Sequence, residues 1–234
     1  MSNYGLIVKT PSGGMQIDSI YRNYCRQSEG TATITNDNTN AGYFTTIAIA
    51  ASPLLPLTII QPNTDYFVDV IAYHKTDDNY DSIAITTDTN ISTIINWEVY
   101  RETFETSSEN YGFRIWNPSN KLVFDSGKSY FKIHAVESIT LANPDPDNLP
   151  YVDIAHVDIS NPFYILSPGS IYFTFTPLGD GISSIMRRYR IGIKKLSATS
   201  VRVGWFIYGS STLPFISTEV GGWNPTQKLL ICKV

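Results

Sequence analysis

Three histidines, a cluster of aspartates and one pair of glutamates are the side chains with acid–base or metal chemistry to offer. His74, His134 and His156 form no His-x-His pair, and each falls in or at the end of an extended segment, where histidine is ordinarily a strand residue. Asp145, Asp147 and Asp153 have the residue type of calcium ligands. Pro144 and Pro146 stiffen that stretch, and no glycine supplies the bend of an EF-hand loop, so a solvated turn is expected. Glu98 and Glu102 are paired carboxylates, but their spacing alone does not define a glycosidase pair. No Gly-x-Ser-x-Gly nucleophile turn and no glycine-rich phosphate loop occurs. No catalytic residue, cofactor or metal is therefore assigned, and the chain is not expected to be an enzyme.

Aromatic rings are the other resource: they stack on sugars or anchor protein contacts. Trp97 and Trp205 sit at matching places in the repeat described below, as core residues do. Trp116, Phe206, Phe215 and Trp223 have no aromatic equivalent in the first half of the chain, which makes them the interface candidates. Lys9 matches Trp116, Glu98 matches Phe206, and residues 209–234 belong to the second half alone.

The elements that must position these residues are organised by a repeated phrase. Tyr4-Gly5-Leu6-Ile7-Val8-Lys9-Thr10-Pro11-Ser12 leads to Asp18-Ser19, and Tyr111-Gly112-Phe113-Arg114-Ile115-Trp116-Asn117-Pro118-Ser119 leads to Asp125-Ser126, without a gap. Chance puts about one identity in such a window, so duplication is the first hypothesis. A strand, a Pro-Ser turn with Gly or Asn, and a second strand make a β-hairpin. Later segments echo one another too. Pro56 to Pro62 aligns with Pro162 to Pro168, Tyr66-Phe67 with Tyr172-Phe173, and Trp97-Glu98-Val99-Tyr100 with Trp205-Phe206-Ile207-Tyr208.

Between these anchors the pattern is short extended runs separated by polar turns, such as Asn36 to Gly42 and Asn143 to Asn148. Alternation marks strands over residues 66–74, 91–100, 171–176 and 201–208, and no stripe with helical spacing appears. Residues 83–87 and 91–100 are expected to form the closing hairpin of the first half, and 186–195 and 201–208 that of the second. The fold class is all-β: two tandem, internally duplicated antiparallel β-sandwich domains over residues 1–103 and 111–234, joined by a linker at 104–110, with a C-terminal extension on the second copy.

Composition narrows the function classes. Abundant Tyr, Thr, Ile and Phe favour strands. The net charge of −4, with no basic run, argues against a nucleic-acid surface. The longest apolar run, residues 47–60, is broken by Pro53 and Pro56, so no membrane insertion is expected. The N-terminus lacks a basic region followed by an apolar core, which predicts synthesis without a secretory signal. Cys25 and Cys232 have no counterparts in the opposite halves, and no disulfide is expected.

The opening phrase resembles that of small proteins encoded among the tail genes of long-tailed, siphovirus-like bacteriophages, which begin with a Tyr-Gly strand, an Asn-containing turn and a Phe-Asp-Ser close. Tyr111 to Ser126 is the nearer match; the first copy has Thr10 for Asn117 and Ile17 for Phe124. The resemblance covers about sixteen residues per copy. It implies a virion component of the tail tip or baseplate, assembled in the host cytoplasm, whose partners are other tail proteins. A receptor- or glycan-binding module displayed at the same tip is the alternative, and it would contact the host surface. Duplication also fits symmetry matching: a homotrimer of two-copy chains would present six similar units to a six-fold tail tube.

Overall fold

The computed structural model describes residues 7–9, 15–18, 24–34, 36–38, 42–62, 66–88, 94–102, 106–110, 112–144, 147–166, 171–177, 183–214 and 226–232. These residues contain strands and no helix. The first half supplies β1 (Ile7–Lys9), β2 (Met15–Asp18), β3 (Tyr24–Thr33), β4 (Asn36–Asn38), β5 (Gly42–Ser52), β6 (Leu57–Gln61), β7 (Val68–Thr76), β8 (Asn79–Thr87) and β9 (Ile94–Glu102). The second half supplies β10 (Arg114–Trp116), β11 (Leu122–Asp125), β12 (Ile133–Thr140), β13 (Tyr151–Ala155), β14 (Phe163–Leu166), β15 (Ile171–Pro177), β16 (Ser183–Ser197), β17 (Ser200–Pro214) and β18 (Thr226–Cys232).

Two large antiparallel sheets dominate, as in a β-sandwich. A six-stranded sheet runs β12-β18-β14-β6-β9-β3, and an eight-stranded sheet runs β13-β17-β16-β7-β8-β5-β4, with β15 also on β16. Alternation within the strands fills the space between the sheets. In β9, Ile95, Trp97 and Val99 enter a core with Ile60 of β6, Ile83 and Ile85 of β8 and Val68 of β7. In β18, Leu229 and Ile231 enter a second core with Tyr164, Tyr189, Ile191, Val203 and Trp205. Each core draws on one half of the chain only. The sheets do not respect that division. β6 pairs with β14 through Ile60 and Tyr164, and β7 pairs with β16 through Val68 and Ile193. Two cores therefore lie side by side beneath shared sheets.

The outer edges of the six-stranded sheet also meet. The Arg26 N–H donates to Ser129 O at 2.7 Å, the Phe131 N–H donates to Tyr24 O at 3.0 Å, and Cys25 bridges to Tyr130. The residues leading into β12 thus pair with the start of β3. A third cluster, Ile59, Tyr100 and Cys232 with Phe131 and Phe163 against it, is built from the side chains that alternate away from the two cores. Cys25 and Cys232 are both buried free thiols, and burial pushes the Cys232 thiol up to about 12.

Register exposes correspondences between the halves. The β1–β2 hairpin pairs Ile7 with Asp18, Val8 with Ile17 and Lys9 with Met15; β10–β11 pairs Arg114 with Asp125, Ile115 with Phe124 and Trp116 with Leu122. The residue pairs and the irregularity before the last pair coincide. The β3–β9 and β12–β18 ladders share a bulge too: it falls between Arg26 and Ser28 in one and between Ile133 and Ala135 in the other. In these ladders Ser28 faces Val99 and Ala135 faces Ile231, while Ile60 faces Trp97 and Leu166 faces Leu229. β18 therefore occupies the place of β9, and Leu229 that of Trp97.

Two expectations are corrected by this placement. Trp97 and Trp205 are not equivalent, because β9 lies in the six-stranded sheet and β17 in the eight-stranded one. The hairpin expected between residues 83–87 and 91–100 does not form, because β8 and β9 lie in different sheets. Its expected partner, β16 with β17, is a long hairpin. β17 takes the place of β8, lying between β13 and β16 as β8 lies between β5 and β7, and β15 has no counterpart among the described strands of the first half. The physical reason for the misplacement is that apolar alternation is the same in any half-buried strand and does not record which sheet receives it.

Candidate interaction surfaces

The β10–β11 hairpin stands apart from both large sheets, and its sequence explains its shape. The Asn120 N–H donates to Asn117 O at 2.9 Å, closing the turn. Asn117 Oδ1 accepts the N–H groups of Ser119 and Lys121 at 3.0 and 2.9 Å. Asn120 takes a positive φ of 56°, which asparagine tolerates. At the open end Asp125 is buried and accepts from Ser107 N–H at 2.7 Å, Gly127 N–H at 2.9 Å and Arg114 Nε at 3.0 Å. These donors hold its carboxyl well below the usual carboxylate range although burial acts in the opposite direction. Ser126 Oγ accepts the Phe113 N–H at 2.7 Å. Gly112 has φ 137°, and a Cβ there would lie 2.5 Å from Ser126 Oγ. The Gly and the Asp-Ser of the repeated phrase thus form one latch that ties the hairpin to residues 107–109.

Trp116, expected at an interface, lies on this hairpin and is 48 % exposed; Phe113, three residues earlier, is 50 % exposed. Phe124 anchors the hairpin: its ring packs against Phe113 at 6.0 Å and stacks on Tyr130 at 4.8 Å between centroids. The hairpin is held at its base and presents two aromatic rings to solvent.

Phe206 is placed differently. It is 1 % exposed, stacked on Phe67 from the first half at 6.1 Å between centroids, and so belongs to an internal joint, not a surface for another protein. A Cβ on Gly192 would lie 2.6 Å from the Phe206 ring, so glycine makes room for it. In the same joint Arg190 of β16 donates through Nε to Asp69 of β7 at 2.9 Å, and both are buried. Burial pushes Asp69 up to about 6, against the pull of Arg190. Asp88 accepts the Phe67 N–H at 3.1 Å and is likewise pushed up to about 6 by burial. Neither the ion pair nor the stack is visible in sequence spacing, because the partners lie more than a hundred residues apart. Phe215, Trp223 and Asp145 lie outside the described residues.

The remaining candidates resolve into structural roles. His156 is buried, with Nδ1 3.1 Å from Ile159 O and Nε2 bonded to the Tyr164 hydroxyl, so both ring nitrogens are engaged. His134 is exposed at the β12 bulge, and the His74 side chain is outside the described set. Glu98 is buried and accepts from the Tyr100 hydroxyl at 2.5 Å and Arg26 Nη1 at 3.2 Å. Its place in the second half is taken by Leu230, since Ile59 faces Glu98 and Ile165 faces Leu230. Asp153 is clamped by Arg202 at 2.7 and 2.9 Å. No group of three metal-ligating side chains occurs among the described residues.

No family model, curated protein or solved structure matches the chain.

Proposed function

We propose that this chain is a non-enzymatic virion structural protein of a long-tailed bacteriophage, a tandem duplication that binds other tail proteins in the tail-tip or baseplate region. The observation that carries this reading is the β10–β11 hairpin. It is the segment bearing the tail-gene resemblance, it is latched at its base by Asp125, and it offers Phe113 and Trp116 to a partner. Rigid, half-exposed aromatics on a preorganised element are the kind of anchor that concentrates binding energy. The shared register and bulge of the two hairpins, and of the β3–β9 and β12–β18 ladders, support the duplication. His156 has both ring nitrogens engaged and Asp153 is clamped by Arg202, which fits structural roles for these two side chains. On this reading the protein is assembled in the host cytoplasm, carried in the particle, and works as a trimer. Quantitative mass spectrometry of purified particles, with immunogold labelling of the tail, tests it. Label at the distal end is expected; a protein present in infected cells but missing from particles contradicts it.

A further inference from the structure

The joint between the halves carries a cleft of about 290 Å³. Phe67 and Asp88 reach it from the first half, and Tyr151, Arg202, Trp205 and Phe206 from the second. The two charged groups are unequally committed. Asp153 engages Nε and Nη2 of Arg202 at 2.7 and 2.9 Å and balances its charge, while Nη1 has no acceptor among the described residues. The same guanidinium lies 3.6 Å from the centroid of the Tyr151 ring, which is 52 % exposed, and holds that ring in place. Asp88 accepts the backbone N–H of Phe67 at 3.1 Å, and no side-chain donor among the described residues reaches its carboxylate. Trp205 and Phe206 line the cleft but are each 1 % exposed, so the cleft combines one half-exposed ring, Tyr151, with one uncommitted donor and one carboxylate able to accept further bonds.

That combination matches a particular ligand chemistry. A sugar ring has an apolar C–H face that lies against aromatic rings and a rim of hydroxyls that both donate and accept. A free amino acid would need a cation site and an anion site, but Arg202 is already neutralised by Asp153. We propose that this cleft binds a neutral saccharide residue, stacked on the half-exposed Tyr151 ring and held through hydroxyls by Asp88 and Arg202. The inference goes beyond the tail-protein reading and does not depend on it, since Phe113 and Trp116 take no part.

Ligand-observed saturation-transfer NMR on the full chain tests the proposal, with glucose, galactose, N-acetylglucosamine and rhamnose as probes and phenylalanine as the zwitterionic comparison. Saturable binding of at least one sugar with a Kd of about 0.1–10 mM is expected. Tyr151→Ala and Asp88→Asn should each weaken it by about tenfold or more, equivalent to about 1.4 kcal/mol. Tyr151 is half exposed, so its variant keeps the fold, and a matched thermal melt verifies that. No saturation with any of the four sugars, affinity unchanged in both variants, or preference for phenylalanine would each overturn the proposal.

Discussion

Asp125 is the most heavily engaged side chain of the hairpin. It accepts from Ser107, Gly127 and Arg114 while 2 % exposed, so removing it leaves Arg114 and two backbone donors without their acceptor. Asp125→Ala should cost roughly 3–5 kcal/mol, as breaking a buried pair does. Amide exchange should show that loss concentrated at residues 112–127; an unchanged melt and unchanged protection would mean that the latch contributes nothing. Gly112→Ala places a Cβ at φ 137° against Ser126 Oγ and should cost about 1–3 kcal/mol at the same site. At this scale the sequence was informative where chemistry is local. The Pro-Ser-Asn turn and the Asp-Ser close are readable because their partners lie within about twenty residues. Phe206 was not readable, because its stacking partner, Phe67, comes from the other half.

At the scale of elements, the β7–β16 contact sets the behaviour of the joint. Asp69 and Asp88 are both pushed up to about 6 by burial, so the folded chain binds protons there more tightly than the unfolded chain, whose carboxyls titrate near 4. Stability from these groups is then greatest at low pH and falls as pH rises through about 4 to 6. Asp125 and Asp153, held low by their donors, act oppositely, and their contribution is lost as pH falls below about 4. Lowering the pH from 7 to 5 should therefore raise stability by about 2 kcal/mol, a few degrees in Tm. Asp88→Asn should remove part of that rise. A Tm that falls steadily from pH 7 to 5 would contradict the burial of these carboxyls. Strand existence was legible from alternation, yet sheet membership was not. β9 and β17 both carry apolar alternation, and only the ladders reveal that β18 takes the place of β9.

At the scale of the whole molecule, two cores share two sheets. Trp205 is 1 % exposed in one core and Trp97 is 8 % exposed in the other. Trp97→Ala and Trp205→Ala should each cost roughly 3–5 kcal/mol. Because β6 joins β14 and β7 joins β16, each loss should register in a single cooperative melt, detected by calorimetry. Two resolved transitions, with only one moved by each variant, would mean that the joints are too weak to couple the halves. The all-β class was visible in composition and in the alternation of the extended runs. The sharing of sheets was hidden, since edge-to-edge pairing depends on backbone groups that every residue carries.

The central claim is that this chain is a structural component of a phage tail whose duplication matches symmetry. A cryo-EM reconstruction of the intact tail tip tests it most directly. The account predicts three chains around the axis, with both cores of each chain at similar radius and Trp116 of the β10–β11 hairpin buried against a neighbouring tail protein. A copy number not divisible by three, cores strung outward at different radii, or hairpins left in solvent would contradict it.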